Sequence, residues 1–503
     1  MYESVIPKAG RRGVIAVVCL GVLVAACGSS SPNAASKTHQ ETGPGPSGTV
    51  SGQATSTTVS SSSTTQAGGG TSSALASGGS GVGSSGGTSG SNNASSGGGS
   101  IAGGSGSGTV SGFHYTPTHL WSGAAETQGI SASTITLCMH AATVFGEAFN
   151  ERPQDLGVYW DWLNANGGVI GRKVNMTIED DEYTAQGAQV AAQECESLNP
   201  FLVLGGIGFD QDPVVRQLAE QDHFIYIYTM ADAGTGHYNY SFTSSPTIQQ
   251  VGRWMGQAEL DRHYPGPYGA VYVNDSAWVG GYTTYKAWMD AHGGKSVDQN
   301  SYTTNSGGDT SGFQAYITEL KVAGVKTVYL WMNALAMDAF VEQAANQGYY
   351  PAYVTPDGFN LVTQTVGKDI DNQSPAPKPT LAGWITPAFD PNNPNVAWWP
   401  EEQQMINVYK QYDAGHSPDD IDWMTWLAFE QVTDLFKTCG NSCTRDDIVG
   451  IFHSGWKVTT GPLCPVDFSA NPNFGGSLIN LFSAYRENGA TVWRQQATCQ
   501  SSL

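Results

Sequence analysis

The sequence predicts an α/β protein with two doubly wound parallel-sheet lobes that follow a disordered N-terminal linker. Predicted strands and helices alternate between residues 134 and 228, and the alternation begins again at residue 268. Strands that alternate with helices form parallel sheets with helices on both faces. The folded part, from about residue 115 onward, is too long for one hydrophobic core, so we expect two lobes.

The first series of elements begins with an apolar strand at 134–139, typical of a buried strand. The helix at 154–164 has Leu156, Tyr159 and Leu163 at helical spacing, and the glycine pair at 167–168 ends it. The other elements of this series are a strand at 173–178, a helix at 185–198, a strand at 201–204, a helix at 213–221 and a strand at 224–228.

The second series repeats this order without an obvious sequence repeat. Ligands of doubly wound sheets bind at the carboxyl ends of the strands, so a cleft between two such lobes is the expected site. The elements of this series are a strand at 268–273, helices at 281–292 and 310–323, a strand at 327–331, a helix at 336–347 and a strand at 352–355.

The first 26 residues have the pattern of an export signal. Three basic residues precede an apolar stretch at 13–26, which is too short to span a bilayer as a mature helix. Two alanines followed by Cys27 resemble a bacterial lipobox, which predicts lipid attachment at Cys27. The alternatives are an ordinary signal peptide with an incidental cysteine, or twin-arginine export through Arg11 and Arg12.

Residues 27–112 are rich in Gly, Ser and Thr and nearly free of charge. Such a segment cannot bury enough apolar surface to offset its chain entropy, so we expect a disordered tether. It either holds the folded part away from a membrane or is a spacer without a length requirement.

The balance of charge limits the partners. The chain has 43 acidic and 22 basic residues, for a net charge of −21. This balance argues against nucleic acid or an anionic membrane surface as the partner. We expect a soluble, monomeric folded part.

The cysteines predict three disulfides. Of the eight, Cys19 lies in the leader and Cys27 is the expected lipid site, which leaves six in an exported domain. A zinc site would need two close-spaced pairs, and one is present. The favoured pairs are Cys138 with Cys195, Cys439 with Cys443, and Cys464 with Cys499.

One run of the sequence points to a family. The run LNANGGVIGRK at 163–173, followed by EDD at 179–181, resembles the signature of type I periplasmic binding proteins. More narrowly, it resembles the substrate-binding lipoproteins of branched-chain amino-acid ABC transporters. Weaker agreement comes from 204–206, 271–275, 308–313 and 355–358. The resemblance extends over about 130–500.

This resemblance implies an architecture and a role. Three hinge crossings are expected near 248, 384 and 460, with one lobe at 130–247 plus 385–460 and the other at 248–384 plus 461–503. The lobes close around a ligand by hinge motion. The implied partners are a small molecule (an amino acid, amide or amine), an ABC permease, and the outer face of the cytoplasmic membrane through the lipid anchor.

The resemblance also assigns ligand contacts to loops that follow strands. Asp357 would pair with a ligand ammonium. The implied contacts are Phe209, Asp210, Met230, Asp232, Trp278, Asn333 and Asp357.

Two of these positions depart from the family pattern. Asp210 and Asp232 stand where small hydroxyl residues are expected, and they would repel a ligand carboxylate. Either they point elsewhere, as a helix N-terminal acid and a turn residue, or the ligand is cationic, an amide or polyhydroxylated. Trp278 is alternatively a lobe-packing aromatic residue, and Asp357 a turn residue.

His140 follows the first strand and either lines the cleft or is a buried structural histidine. The sequence has no nucleophile elbow, metalloprotease motif or phosphate-cradling glycine loop, so we predict no enzyme, no cofactor and no metal. The alternatives to a transport role are a sensing or scaffold module of the same fold and an exported enzyme.

Overall fold

The structure is a computed structural model that describes part of the chain. All described residues lie between residues 113 and 501. The predicted leader, Cys27 and the predicted tether lie outside them. The described residues are 113–144, 151–228, 236–274, 276–294, 296–302, 310–356, 378–387, 389, 399–459, 461–487 and 490–501.

The first sheet is parallel throughout, with the order β2-β1-β3-β4-β5. The central strand β1 is buried over most of its length because helices cover both faces of the sheet. Its strands are β1 (Thr134–Ala141), β2 (Lys173–Asp180), β3 (Leu202–Leu204), β4 (Tyr226–Tyr228) and β5 (Ser241–Thr243).

The second sheet has seven strands in the order β14-β13-β10-β9-β8-β6-β7. The strands from β6 to β10 are parallel, while β13 and β14 are antiparallel additions at one edge. Its strands are β6 (Tyr268–Val273), β7 (Ser296–Tyr302), β8 (Thr327–Trp331), β9 (Ala352–Thr355), β10 (Leu381–Trp384), β13 (Ile479–Glu487) and β14 (Ala490–Gln500).

Ten α-helices among the described residues surround the sheets. The longest, α9, is buried on nearly all sides, with apolar residues around its whole circumference. The helices are α1 (Pro153–Ala165), α2 (Ala185–Ser197), α3 (Gln211–Asp222), α4 (Ile248–Asp261), α5 (Ser276–Ala291), α6 (Phe313–Val322), α7 (Ala334–Asn346), α8 (Pro400–Tyr412), α9 (Asp420–Cys439) and α10 (Arg445–His453). None of them is both long and apolar enough to cross a membrane.

The chain passes between the two sheets three times. It leaves β5 for α4, returns after β10 to α8, and leaves again before β13. A small hairpin, β11 (Lys457–Val458) with β12 (Val466–Asp467), packs in the first lobe, and Phe474 bridges to Thr243 of β5. We therefore place the third crossing after this bridge rather than near 460.

The α/β fold class with two doubly wound lobes is confirmed, and the differences are local. Helix α3 begins at Gln211, two residues before the predicted start, and α5 begins at Ser276, five residues before. The sequence patterns did not predict α4, β5, β7 or the antiparallel pair β13 and β14. The positions of these strands depend on neighbours that are distant in the sequence. Helix α4, in contrast, has buried apolar residues at helical spacing, and the sequence analysis missed this pattern.

The glycine pair at 167–168 has a physical reason in the structure. Gly168 has φ +73°, and a Cβ on it would lie 1.9 Å from the carbonyl oxygen of Arg172. Only glycine fits this turn, which ends α1 and leads into β2. The signature run is thus a scaffold feature of the first lobe.

Three disulfides are present among the described residues, and they are the pairs that the sequence analysis favoured. Each has its Cα atoms between 5.2 and 5.4 Å apart. The pair at 138 and 195 joins β1 to α2 across one face of the first sheet. The other pairs join Cys439 to Cys443 and Cys464 to Cys499.

Candidate functional site

A contact between aromatic rings joins the two lobes at the carboxyl ends of their strands. Phe209 belongs to the loop after β3, in the first lobe, yet it lies in the second lobe's hydrophobic core and is 2% exposed. Its ring centroid is 4.5 Å from that of Trp278, 6.1 Å from that of Trp384 and 6.4 Å from that of Trp331. These four rings form the interlobe aromatic cluster.

The second lobe presents its tryptophans from three elements. Trp331 ends β8, Trp384 ends β10, and Trp278 lies in the first turn of α5. Helix α5 approaches Trp331 so closely that a Cβ on Gly281 would lie 1.6 Å from the indole ring. Only glycine permits this approach, so position 281 sets the depth of the aromatic wall.

Some buried polar groups of the cluster and of the adjacent helix α3 have no partner among the described residues. The indole nitrogens of Trp278 and Trp331 are buried without a hydrogen-bond acceptor. Gln211, the first residue of α3, is 0% exposed, and both its amide nitrogen and its amide oxygen lack a partner. Buried polar groups are normally satisfied, so these unsatisfied donors and this acceptor make the region a candidate for ligand contact.

Two acids flank Gln211 at the start of α3. Asp210 is half-buried, precedes the helix, and makes no capping hydrogen bond through its side chain. Asp212 is 1% exposed and accepts a hydrogen bond of 2.7 Å from the Tyr226 hydroxyl. Burial raises the pKa of Asp212 well above its usual range. Asp212, the more deeply buried of the two acids, thus has a hydrogen-bond partner within the first lobe.

His140 lies in a buried hydrogen-bonded chain of the first lobe. Its Nδ1 is 2.9 Å from Oδ2 of Asp181, and its Nε2 is 2.8 Å from the Tyr226 hydroxyl. Because that hydroxyl donates to Asp212, Nε2 of His140 donates to the hydroxyl oxygen. Both ring nitrogens are engaged and the residue is 0% exposed, so this arrangement matches the structural interpretation of His140.

The other predicted contacts divide between structural positions and positions outside the described residues. Asn333 is 3% exposed and caps α7 by accepting a 2.9 Å hydrogen bond from the backbone of Ala336. Trp278 packs in the aromatic cluster, and its contact with a ligand stays a prediction. Met230, Asp232 and Asp357 lie outside the described residues and stay predicted contacts.

The structure adds residues that the sequence analysis did not single out. Gln211 lies in a predicted loop, and Trp331 ends a predicted strand, so the rule that ligands bind at strand ends could have found both. Trp384 could not be found in this way, because β10 had not been predicted. Its position at a strand end depends on the pairing of β10 with β9 and β13.

One group of potential metal ligands occurs among the described residues, formed by Asp155, His416 and Asp422. Arg152 donates to both oxygens of Asp155 at 2.7 and 2.8 Å. Asp422 accepts from Tyr409 at 3.1 Å, and its other oxygen lies 2.6 Å from His416 Nε2. Protein partners thus engage each carboxylate, and we interpret the group as an ion-pair cluster that joins α1, α8 and α9.

Comparisons with known proteins agree with this architecture. The sequence model of a family described as "Periplasmic binding protein" matches residues 158–477. A search by sequence among curated proteins gives no match.

Solved structures of low sequence identity share the fold. A fatty acid ABC transporter substrate-binding protein from Thermomonospora curvata is 15% identical, with a TM-score of 0.61 over 75% of this chain and 95% of that one. A possible leucine/isoleucine/valine-binding protein from Rhodopirellula baltica is 13% identical, with a TM-score of 0.60 over 73% and 97%. A solute-binding protein of an ABC transporter from Rhodopseudomonas palustris, in complex with 3,4-dihydroxybenzoic acid, is 15% identical, with a TM-score of 0.56 over 73% and 98%.

Proposed function

Because the chain belongs to the periplasmic binding protein family and has its two-lobe type I fold, we propose that it is an extracytoplasmic solute-binding lipoprotein. It captures a small molecule between its lobes and delivers it to an ABC-type importer. The contact between Phe209 and Trp278 across the lobes supports this proposal best. It puts a first-lobe loop against second-lobe strand ends, where ligands of such sheets bind.

The ligand that we propose is an amino acid or a related amide or amine. The tryptophan faces suit a flat group or a cationic group, which ring quadrupoles attract. The amide of Gln211 offers one acceptor and two donors to a polar group of the ligand. Asp210, together with the predicted contacts Asp232 and Asp357, would complement an ammonium better than a carboxylate.

Capture by this site depends on motion between the lobes. Phe209 is the first lobe's contribution to the aromatic cluster, so opening of the hinge separates it from Trp278 and exposes both rings. Exposing such apolar surface costs roughly 25 cal/mol per Å². This cost favours the closed form, and contacts of the ligand with both lobes favour the closed form further.

A thermal-shift screen tests the proposal. The protein is the Cys27→Ser chain purified from the soluble fraction, and the panel contains amino acids, amides, polyamines, quaternary amines and aromatic acids. A ligand of the folded state raises the melting temperature by mass action. We expect one class to do so and to be recovered unchanged. A ligand that the protein converts would point to an enzyme, and the absence of any shift would contradict solute binding.

Variants then place the ligand. Phe209→Ala and Trp278→Phe should each weaken binding of the selected compound by about tenfold or more, as expected for aromatic anchors. Tyr350→Ala is the matched control, because Tyr350 is an aromatic residue that is 38% exposed. If Phe209→Ala and Trp278→Phe bind the compound as tightly as Tyr350→Ala and the parent do, the ligand binds elsewhere. Uptake of the selected compound is also measured in cells that lack the gene. Loss of uptake would indicate transport, whereas unchanged uptake would indicate sensing.

A further inference from the structure

The disulfide between Cys464 and Cys499 joins the two lobes. Cys464 follows β11 in the chain, and its neighbours Leu463 and Val466 pack in the hydrophobic core of the first lobe. Cys499 lies on β14, the outermost described strand of the second sheet. The chain between the two cysteines contains the whole third crossing. The bond is therefore a covalent connection between the lobes in addition to the three backbone crossings.

A buried asparagine holds this bond against the hinge segments. Asn480 lies at the start of β13, directly after the third crossing, and is 0% exposed. Its Nδ2 donates a 2.8 Å hydrogen bond to the carbonyl oxygen of Ile385, in the second crossing, and lies 3.3 Å from Sγ of Cys464. Its Oδ1 accepts a 3.2 Å hydrogen bond from the backbone nitrogen of Cys499. The second crossing, the third crossing and the disulfide thus meet at one side chain.

Strand β14 departs from regular pairing at the position of this cysteine. Ile479 of β13 pairs with Gln500, and Leu481 pairs with Ala497, so β14 has one extra residue between these pairs. Cys499 has φ +47°, in the left-handed region that residues other than glycine seldom adopt. A β-bulge changes the direction of a side chain, and here it coincides with the residue that reaches Cys464.

The third crossing is also joined to the first. The backbone nitrogen of Thr243, at the end of β5, donates a 2.9 Å hydrogen bond to the carbonyl oxygen of Asn473. The nitrogen of Gly475 donates to the carbonyl oxygen of Thr243 at 3.0 Å. The third crossing therefore contacts the first directly and the second through Asn480, which makes it the centre of the hinge.

The bond limits how far the lobes can separate at this edge. Its Cα atoms are 5.2 Å apart, and a disulfide holds them within about 6.8 Å, which leaves roughly 1.6 Å of further separation. Strand β14 is next to β13, where the third crossing enters the second sheet, whereas β7 is the strand at the opposite edge. With strands about 4.8 Å apart, a rotation about the third crossing moves β7 about five times as far as the bond. The bond then limits opening at β7 to roughly 8 Å.

We propose that the disulfide between Cys464 and Cys499 is a hinge clamp, which restricts the range over which the lobes open. This inference rests on the lobe motion of the proposed function and assigns the pair of residues that sets its range. The other two disulfides each join parts of the first lobe, so they leave the hinge unrestricted. A narrower open state loses less conformational freedom when a ligand closes the lobes.

Distances between spin labels on the two lobes test the clamp. The labels are attached to p-acetylphenylalanine in place of Val144 and of Ala315, so no cysteine is added. Both positions are exposed: Val144 follows β1, and Ala315 lies in the first turn of α6, the helix after β7. The protein is the Cys27→Ser chain purified from the soluble fraction, without ligand.

Double electron–electron resonance compares this parent with the double variant Cys464→Ala/Cys499→Ala. We expect the longest distances between the labels to increase by about 5 Å or more in the variant, because the bond no longer limits the rotation. Circular dichroism and the melting temperature establish that the variant folds. Cys464→Val/Cys499→Ala, which retains more apolar volume, takes its place if it does not.

Cys138→Ala/Cys195→Ala is the matched control, because it removes a disulfide that lies within the first lobe. Its distances should equal those of the parent. Equal distances in the parent and in a folded variant at 464 and 499 would overturn the clamp. The same increase in both double variants would indicate general loosening of the fold, which overturns the clamp as well.

The measurement needs no ligand, so its outcome is independent of the thermal-shift screen. A protein that binds a compound of the panel but shows unchanged distances without the bond loses only the clamp. A protein that binds no compound but opens further without the bond keeps the clamp and loses solute capture.

Discussion

Buried ionisable residues make single positions sensitive to pH, and Glu259 is the clearest case. It is 0% exposed in the second lobe and accepts a 2.8 Å hydrogen bond from the Tyr285 hydroxyl. Burial raises the pKa of Glu259 to about 8, although the hydrogen bond from Tyr285 lowers it. The folded state therefore holds a proton that the unfolded chain releases near pH 4.5.

The sign of the effect follows from proton linkage. The contribution of Glu259 to stability is fully present below about pH 4.5 and is lost as the pH rises to about 8. Glu259→Gln cannot ionise and still accepts the hydrogen bond. We expect it to be more stable than the parent at pH 9 by on the order of 5 kcal/mol, with a much smaller difference at pH 4.5.

Urea unfolding at the two pH values measures this difference. Glu319→Gln is the matched control, because Glu319 is an exposed glutamate on α6 and its replacement should leave the pH dependence unchanged. If Glu259→Gln had the same pH dependence as the parent, Glu259 would not titrate as its burial predicts.

At the scale of elements, the disulfides differ in the length of chain that they close. The bond at 138 and 195 has a sequence separation of 57 and joins β1 to α2, whereas Cys439 and Cys443 are separated by 4. Chain entropy predicts that replacing both cysteines by alanine costs about 4 kcal/mol for the long loop and about 2 kcal/mol for the short one. Urea unfolding of the two Cys→Ala double variants and of the parent measures these losses.

The short loop is the control for the long one, since both replacements remove two buried sulfurs. Equal losses would mean that packing of the sulfurs, and not chain entropy, determines the contribution of these bonds. A larger loss for the short loop would contradict the chain-entropy argument.

At the scale of the whole molecule, the proposed anchor determines where the folded part works. Several acyl chains on Cys27 would hold the protein at a membrane, whereas a single chain binds only marginally. Cys27→Ser should therefore move the protein from the membrane fraction to the soluble fraction. Cell fractionation with immunoblotting measures the shift.

The leader offers a matched control for this prediction. Cys19 lies within the predicted signal, which is removed if Cys27 becomes the first residue, so Cys19→Ser should stay in the membrane fraction. A parent that is already in the soluble fraction would favour an ordinary cleaved signal, and a Cys27→Ser protein that stays membrane-bound would indicate an uncleaved leader.

The folds of the lobes follow from local patterns, whereas the composition of the site does not. Strand β1, helix α1 and the glycine turn after it were predictable, because hydrophobic period and the conformational freedom of glycine act over a few residues. The pairing of β13 with β10 and the burial of α9 were not, because these contacts join segments far apart in the sequence.

The sequence by itself determined the α/β class, the two lobes, the favoured disulfide pairs and the loop that contains Phe209. Only the tertiary structure decided what that loop meets: three tryptophans from α5, β8 and β10, and an unpartnered Gln211. It also decided that His140 faces Asp181 and Tyr226. The physical reason is that periodicity records which residues are buried, while the partners of a buried side chain depend on how distant segments pack.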